Sequence, residues 1–303
     1  MLNSQLYRLL RWNYRLLGRI YCTLRYYVLE TSHSISARFS RHTGVTAIKR
    51  NPELIVSLTT IPERIGTIHL CLDSLLKQSL KPDRLILWLS ESNDTDRPKI
   101  DKETLPASLL RLVARGVEIR WCKDIRSYRK IIPTLLDHPD ALIVTADDDI
   151  FYSTHWLRTL YDAYQIEPQY LHCHRAHLIR YAQSGEVLPY RKWGWLAEDY
   201  QGPSYDLLPT GGSGVLYAPG QLHSEVLNET IFLELCPKAD DVWMKAMTLL
   251  TGVPCKKVKR KSLKIIEIRI PNNRTLWSEN VIKDLNDLQI AAVSTRYGVF
   301  RRA

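Results

Sequence analysis

Short apolar runs alternate with segments of helical periodicity from residue 53 to residue 146, and this alternation is the feature that most constrains the fold. The apolar, β-branched runs are typical of buried strands: ELIVSLTT (53–60), DRLILWLS (83–90), VEIRWC (117–122) and ALIVTA (141–146). Between them, residues 65–80, 102–116 and 127–138 space their apolar side chains as helices do. Strands joined by helices predict an α/β fold with a mostly parallel sheet that is covered by helices on both faces.

Four loops of this predicted sheet follow the carboxyl ends of its strands, where ligands bind in open α/β sheets. They are TTIPERI (59–65), SESNDTD (90–96), CKDIRS (122–127) and DDDIFY (147–152). The later part of the chain departs from the alternation: residues 170–190 predict a hairpin turning at Ser184-Gly185, and residues 241–252 predict a helix. We therefore predict one domain over residues 46–303.

Positive charge is concentrated in two places. The 303-residue chain has a formal net charge of +10, and residues 1–50 hold nine Lys or Arg against one acid, Glu30. Residues 256–264, KKVKRKSLK, add six more positive charges, so the remaining body is close to neutral. This distribution argues against a broad nucleic-acid surface and favours local contacts with anions. Six cysteines without a CxxC pair predict reduced thiols and a cytoplasmic location.

Residues 1–45 are predicted to form a basic amphipathic helix followed by a polar linker at 31–44. Arginines interrupt the apolar sequence too often for a membrane span or a secretory signal: Arg8, Arg11, Arg15, Arg19 and Arg25. Aromatic residues surround these arginines, which suits a helix lying in an anionic membrane interface through residues 1–30. The alternative that stays open is a helix packed on the body or on a partner subunit. If the helix lies in the membrane interface, we expect a peripheral location of the protein on the inner face of the membrane.

Three consecutive aspartates end the fourth apolar run. If the chain stays extended there, Asp147 and Asp149 point the same way and Asp148 points oppositely. No basic residue stands within six positions, and Lys130 and Arg158 are too distant in sequence for pairing to be assumed. Two convergent carboxylates are the minimum for Mg²⁺ or Mn²⁺, which takes further ligands from water and phosphates. A solvated turn is the other interpretation, because Asp is common in turns.

A second acidic pair, Asp240 and Asp241, stands at the start of the predicted helix, where carboxylates also serve as helix caps. Between the two acidic segments lies LLPTGGSGVLYAPG (207–220), whose glycines leave room for backbone to approach a ligand closely: Gly211, Gly212 and Gly214. Trp193 and Trp195 of RKWGWLAEDY would face one way in an extended chain, as the two rings of a sugar-binding platform or as core residues.

Taken in order, SLTTIPERI, TADDDIFY, WGW, TGGSGVLY and ADDVW resemble the GT-A glycosyltransferases, in particular family-2-like bacterial enzymes of surface-polysaccharide assembly. The resemblance covers roughly residues 53–290 and rests on the order and spacing of the motifs. It implies a Rossmann-like GT-A domain that uses a nucleotide-sugar donor and a glycan or lipid-linked saccharide acceptor.

The same resemblance implies roles for individual residues. Asp147 and Asp149 match the DxD motif that chelates Mn²⁺ or Mg²⁺ on the donor diphosphate, and Asp241 matches the general base of inverting members. Asp240 stands where that motif has Glu, and no histidine follows His223 to supply a later metal ligand. Donor contacts are expected from Thr59, Thr60, Pro62, Arg64, Lys130, Asp147 and Asp148. Acceptor contacts are expected from Trp193, Trp195, Gly211, Gly212 and Gly214.

Two other functions stay open at this point. A nucleotidyltransferase acting on a sugar phosphate would also use a carboxylate-bound metal, although TTIPERIG lacks the glycine-rich loop that such enzymes usually carry. A non-catalytic adaptor on a membrane surface would use the basic N-terminus and leave the five aspartates without a role. A zinc site in HCHRAH (172–177) is disfavoured, because His172 and His174 share a strand face and Cys173 lies opposite.

Overall fold

The computed structural model describes residues 2–90, 100–263, 265–269 and 284–302, and for residues 2–19 it describes the backbone alone. The strands are β1 Leu54–Thr59, β2 Arg84–Ser90, β3 Val117–Cys122, β4 Leu142–Thr145, β5 Ile150–Phe151, β6 Leu171–Cys173, β7 Ala176–Leu178, β8 Leu207–Pro209, β9 Val215–Tyr217, β10 Cys255–Lys257 and β11 Ile266–Glu267. The α-helices are α1 Leu2–Phe39, α2 Ile68–Leu76, α3 Ala107–Val113, α4 Ile132–Asp137, α5 Trp156–Ile166, α6 Glu229–Leu235, α7 Asp240–Leu250 and α8 Leu285–Tyr297.

Seven of the strands form one sheet in the order β10-β6-β9-β4-β1-β2-β3. β1 pairs in parallel with β2 and β4, β2 pairs in parallel with β3, and β10 pairs in parallel with β6. β9 runs antiparallel to both of its neighbours, β4 and β6. The predicted α/β class with a mostly parallel sheet is therefore confirmed, and its mixed character comes from one strand late in the chain.

The sheet is buried on both faces because its strands alternate apolar side chains between two cores. In β1, Ile55 belongs to one hydrophobic cluster, while Leu54 and Val56 belong to the other. The first cluster includes residues of α7 and α8, and the second includes residues of α1, α2, α3 and α5. Near-continuous apolar runs in the sequence follow from this double burial.

Three sequence predictions need correction. Residues 31–39 are not linker, because α1 continues to Phe39 and its buried Ala37 joins the core. The helix predicted over 127–138 is a 3-10 helix, Arg126–Lys130, followed by α4. The hairpin at Ser184-Gly185 exists, but Tyr181 pairs with Val187 close to the turn, and β6 and β7 lie outside it.

The N-terminal helix packs on the body along one side. Tyr26, His33 and Ala37 are buried against it, whereas Leu24 and Val28 are 60% and 67% exposed. In the part of the chain that the structure describes, no helix combines the length and the apolar character that crossing a bilayer requires.

Candidate active site

Asp147, Asp148 and Asp149 form a turn after β4, at the carboxyl end of the parallel part of the sheet. We call these three residues the acidic turn. Asp148 points into the protein, where its carboxylate accepts hydrogen bonds from Thr60 Oγ1 and Arg64 Nη1, both at 2.5 Å. The side chains of Asp147 and Asp149 are 39% and 23% exposed, against 6% for Asp148. Asp148 therefore anchors the turn, and its two neighbours keep carboxylates that solvent can reach.

Arg64 compensates part of the crowded charge. Its Nη1 lies 2.5 Å from Asp148 Oδ1 and 2.9 Å from Asp149 Oδ2. Burial nevertheless raises the pKa of Asp148, and burial together with the charge of Asp147 raises the pKa of Asp149 to about 7 although Arg64 opposes it. The turn thus carries more negative charge than its arginine neutralises.

Lys130 joins the acidic turn to the second acidic pair. Its Nζ lies 3.1 Å from Asp147 Oδ1 and 2.9 Å from Asp240 Oδ2. Burial lowers the pKa of this ammonium, but the charges of Asp147, Asp240 and Asp241 outweigh burial and leave the pKa well above its ordinary value. Asp147 and Asp240, which are 93 residues apart in sequence, therefore share the ammonium of Lys130. The sequence alone did not allow us to assume that Lys130 pairs with the acidic turn.

Asp241 lies at the N-terminal end of α7, beside residues 211–214, which we call the glycine turn. Its Oδ1 accepts a hydrogen bond from the Gly211 N–H at 2.9 Å. Burial and the adjacent charge of Asp240 raise the pKa of Asp241 to about 7, although Lys130 and the Gly211 N–H lower it. A carboxylate with this pKa near neutral pH can accept a proton there.

Asp240 does not cap its helix. Residue 239 occupies the cap position of α7, and no side chain makes a capping hydrogen bond there. Asp240 is 7% exposed and its carboxylate contacts Lys130 instead. The capping interpretation is therefore wrong for Asp240, because the buried ammonium is a stronger partner than the helix amides.

The glycine turn runs directly against both acidic segments. A Cβ added at Gly212 would lie 1.9 Å from Asp147 Oδ2, and one added at Gly211 would lie 2.8 Å from Asp241 Oδ1. Gly214 has φ +106° and leaves room for the Trp156 indole, whose Nε1 donates to the Ser213 carbonyl at 2.7 Å. Only glycine allows the backbone to come this close.

Tyr152 links the acidic turn to the glycine turn, and the sequence analysis did not identify it as a site residue. Its hydroxyl accepts the Asp147 N–H at 2.8 Å and donates to the Gly212 carbonyl at 2.6 Å. The tyrosine stood in the DDDIFY stretch, but nothing in the local sequence distinguished this buried polar link from an ordinary core aromatic.

The two tryptophans do not form a common face. The chain from 190 to 197 contains two 3-10 helices, and Leu196 has φ 59°, so it is not extended. Trp193 is 4% exposed and donates its indole N–H to the Leu188 carbonyl, whereas Trp195 is 39% exposed. Trp195 packs edge-on against Tyr190, an aromatic neighbour that the sequence analysis missed. The expected platform thus reduces to Trp195, because Trp193 is a core residue.

The remaining predicted donor residues lie along the same edge. Thr59 donates its hydroxyl to the Trp88 carbonyl at 2.9 Å, which ties the end of β1 to β2. Pro62 opens the 3-10 helix Pro62–Arg64 that carries Arg64 to the acidic turn. Of the predicted loop at 90–96, residues 91–96 lie outside the described residues.

A divalent cation fits the donor set at this turn only with help from its substrate. Asp147 and Asp149 offer hard oxygen ligands that are partly exposed, and burial together with the charge of Asp147 raises the pKa of Asp149. Among the residues that the structure describes, no group of three or more His, Cys, Asp or Glu converges as a metal site. Diphosphate and water would have to complete the coordination.

The histidines of HCHRAH have separate partners. His172 and His174 each place Nε2 2.9 Å from a backbone carbonyl, those of Glu167 and Trp156, and His177 Nδ1 accepts the Leu196 N–H. These three buried histidines each make a hydrogen bond to a different backbone group, so their ring nitrogens do not converge on a common ligand.

No protein-family model matches this sequence, and no curated protein is similar enough to count as a relative.

Proposed function

We propose that this chain is a metal-dependent, inverting glycosyltransferase of GT-A type, which moves a sugar from a nucleotide-sugar donor to a glycan or lipid-linked saccharide acceptor. The observation that carries the proposal is the Lys130 ammonium, 3.1 Å from Asp147 and 2.9 Å from Asp240. A site of this composition can serve a diphosphate at one acidic segment and an acceptor hydroxyl at the other.

In this proposal Asp147 and Asp149 hold Mn²⁺ or Mg²⁺. The bound cation would neutralise the charge of the departing nucleoside diphosphate. Thr60 and Arg64 both donate to Asp148 and hold it in the turn, and this arrangement orients the two liganding carboxylates. Lys130 adds a further positive charge at the side where the diphosphate would lie.

Asp241 is the proposed general base. The Gly211 N–H fixes one of its carboxylate oxygens, and its pKa of about 7 suits removal of a proton from the acceptor hydroxyl near neutral pH. Attack by that hydroxyl on the anomeric carbon forms the new glycosidic bond, breaks the bond to the diphosphate and inverts the configuration. The glycine turn from Gly211 to Gly214 and the exposed ring of Trp195 are the proposed acceptor contacts.

The buried charges favour an enzyme over a non-catalytic adaptor. Lys130, Asp148 and Asp240 are each less than 10% exposed, and burying charges costs several kcal/mol per ion before pairing offsets it. An adaptor that acts through its N-terminal helix would not need this cluster of buried charges.

Product analysis tests the proposal against the nucleotidyltransferase alternative. The full chain is incubated with a panel of nucleotide sugars and Mn²⁺, and separately with nucleoside triphosphates and sugar phosphates. Glycosyl transfer releases a nucleoside diphosphate and leaves a product of inverted configuration, whereas nucleotidyl transfer releases pyrophosphate. We expect the first result, its loss in EDTA and its loss in Asp149→Asn. The exposed Asp162→Asn is the matched control.

We also propose that α1 contacts an anionic membrane surface at the inner face of the membrane. The side of α1 that faces away from the body exposes large apolar residues: Ile20, Tyr21, Leu24, Tyr27, Val28, Ile35 and Phe39. The first 50 residues carry nine basic residues against one acid. Apolar and basic residues together are what an interfacial helix requires.

A further inference from the structure

The buried side of α1 contacts the supports of the acidic turn. His33 on α1 is 8% exposed, and its Nδ1 lies 2.7 Å from Asp73 Oδ2 on α2. Ser36 donates to the other oxygen of Asp73 at 2.9 Å, and Arg115 lies 2.5 Å from that oxygen. Asp73 is fully buried, and these three groups hold its charge in the protein interior together with Lys77, whose Nζ lies 2.9 Å from Oδ2. α1 is therefore fixed to α2 by a polar cluster in addition to apolar packing.

α2 in turn holds the backbone of the acidic turn. Cys71, two residues before Asp73, donates its thiol to the Asp147 carbonyl at 3.2 Å. Ser74, one residue after Asp73, accepts the Tyr152 N–H at 3.0 Å. α2, which His33 contacts through Asp73, therefore holds residues 147–152 at both ends of that segment.

A second route runs through β5, which follows the turn directly. The His33 ring stacks on Phe151 with centroids 5.3 Å apart and planes 22° from parallel, and Tyr26 meets the same ring edge-on at 6.0 Å. Phe151 lies in β5, two residues beyond Asp149. A shift of α1 would move this ring.

A third contact joins α1 to Arg269, two residues after β11, the strand that pairs with β5. The Arg269 N–H donates to the Tyr26 hydroxyl at 3.3 Å, and its guanidinium lies over the Tyr26 ring at 4.5 Å. The neighbouring Ile268 N–H donates to the Asp149 carbonyl at 2.6 Å. The carbonyls of Asp147 and Asp149 are thus both held by elements that α1 touches.

We infer that the docked half of α1 positions the acidic turn, with His33 as the positioning residue that joins both routes. The inference rests on the proposed function, because it assigns α1 a part in setting the affinity for the cation and donor. It also gives the long N-terminal helix a role on its buried side that is distinct from any contact made by its exposed side. His33 acts through its contacts with Asp73 and Phe151.

Hydrogen–deuterium exchange on the full chain tests this inference without requiring turnover. His33→Ala removes the bond to Asp73 and the stacking on Phe151, and Ile35→Ala changes a 55% exposed residue of the same helix as the matched control. We expect faster exchange of the amides from 147 to 152 in His33→Ala and no change in Ile35→Ala. Amides of α8, whose buried Ile290 and Val293 belong to the other hydrophobic cluster, should be unchanged in every variant. His33→Gln keeps a donor for Asp73 but lacks the ring, so its exchange at the turn should fall between wild type and His33→Ala.

Binding of Mn²⁺ alone, followed by electron paramagnetic resonance, is the second measurement. Loss of a residue that orients metal ligands typically weakens affinity 10- to 100-fold, and we expect about 10-fold for His33→Ala. Unchanged exchange at 147–152 in His33→Ala and His33→Gln overturns the inference, as does an equal rise at 147–152 and in α8, which would indicate global destabilisation. If wild type itself does not bind Mn²⁺, the proposed metal site fails, and the exchange data still decide whether α1 positions the turn.

Discussion

Gly212→Ala places a methyl group directly against the proposed metal ligand. The added Cβ would lie 1.9 Å from Asp147 Oδ2 and 2.6 Å from its Cγ, where an ordinary contact is 3.4 Å or more. The carboxylate must therefore retreat by about 1.5 Å. Because the Asp147 side chain is 39% exposed, it can rotate toward solvent rather than disturb the core.

The structure predicts a large effect on activity and a small one on stability. A displacement of about 1 Å at a catalytic group can cost about 10²-fold in rate, so we expect turnover to fall by about that factor. The rotation also loses the Asp147 contact with Lys130, and a partly exposed ion pair contributes about 1 kcal/mol or less. For a domain of this size, that corresponds to about 2–4 °C in Tm.

The assay is nucleoside diphosphate release with Mn²⁺, measured beside thermal unfolding. Gly66→Ala is the control, because a Cβ at Gly66 meets nothing within 4 Å. A double-mutant cycle with Asp147→Ala tests the route of the effect: without the carboxylate to displace, Gly212→Ala should add little. Full activity of Gly212→Ala, or additive losses in the cycle, would refute the assignment of Asp147.

Three further predictions concern other parts of the molecule. Asp241→Asn should lower turnover by about 10²- to 10⁴-fold with donor Kd little changed, and wild-type turnover should rise with pH through about 7 as Asp241 ionises. Because this carboxyl binds its proton more tightly in the folded state, it should make stability fall as pH rises from about 4 to 7, and chemical denaturation of Asp241→Asn should show a smaller fall. Lys130→Met should destabilise the fold by about 3–5 kcal/mol in urea titrations, since Asp240 loses its buried partner; a loss below 1 kcal/mol would contradict the pairing. Leu24→Glu on the exposed side of α1 should reduce sedimentation with anionic vesicles relative to Thr31→Ala, and equal sedimentation of both would count against membrane contact.

Local sequence determined the parallel half of the sheet. The runs that begin at Leu54, Arg84 and Leu142 carry apolar side chains at successive positions and lie in strands that are buried almost throughout. β3 lies at the edge of the sheet, alternates apolar and polar residues and is fully buried only at Val117. Their class is set by neighbours a few residues away, so periodicity is sufficient to predict it. The position of the acidic turn at a strand end follows from the same local pattern.

Tertiary structure decided what local pattern could not encode. β9 enters antiparallel between β4 and β6, and residues 31–39 remain helical because His33, Ser36 and Ala37 find partners on the body. A polar stretch with no visible partner in sequence had predicted a linker.

The candidate site divides along the same line. The sequence identified the aspartates, the glycines and Lys130 as candidate site residues, since residue type and spacing are local properties. It left open which of them meet: Asp148 is satisfied by Thr60 and Arg64, more than 80 positions away, and Lys130 is shared by Asp147 and Asp240. Ion pairing acts over a few ångströms in space and takes no account of separation along the chain, so only the folded arrangement fixes the partners.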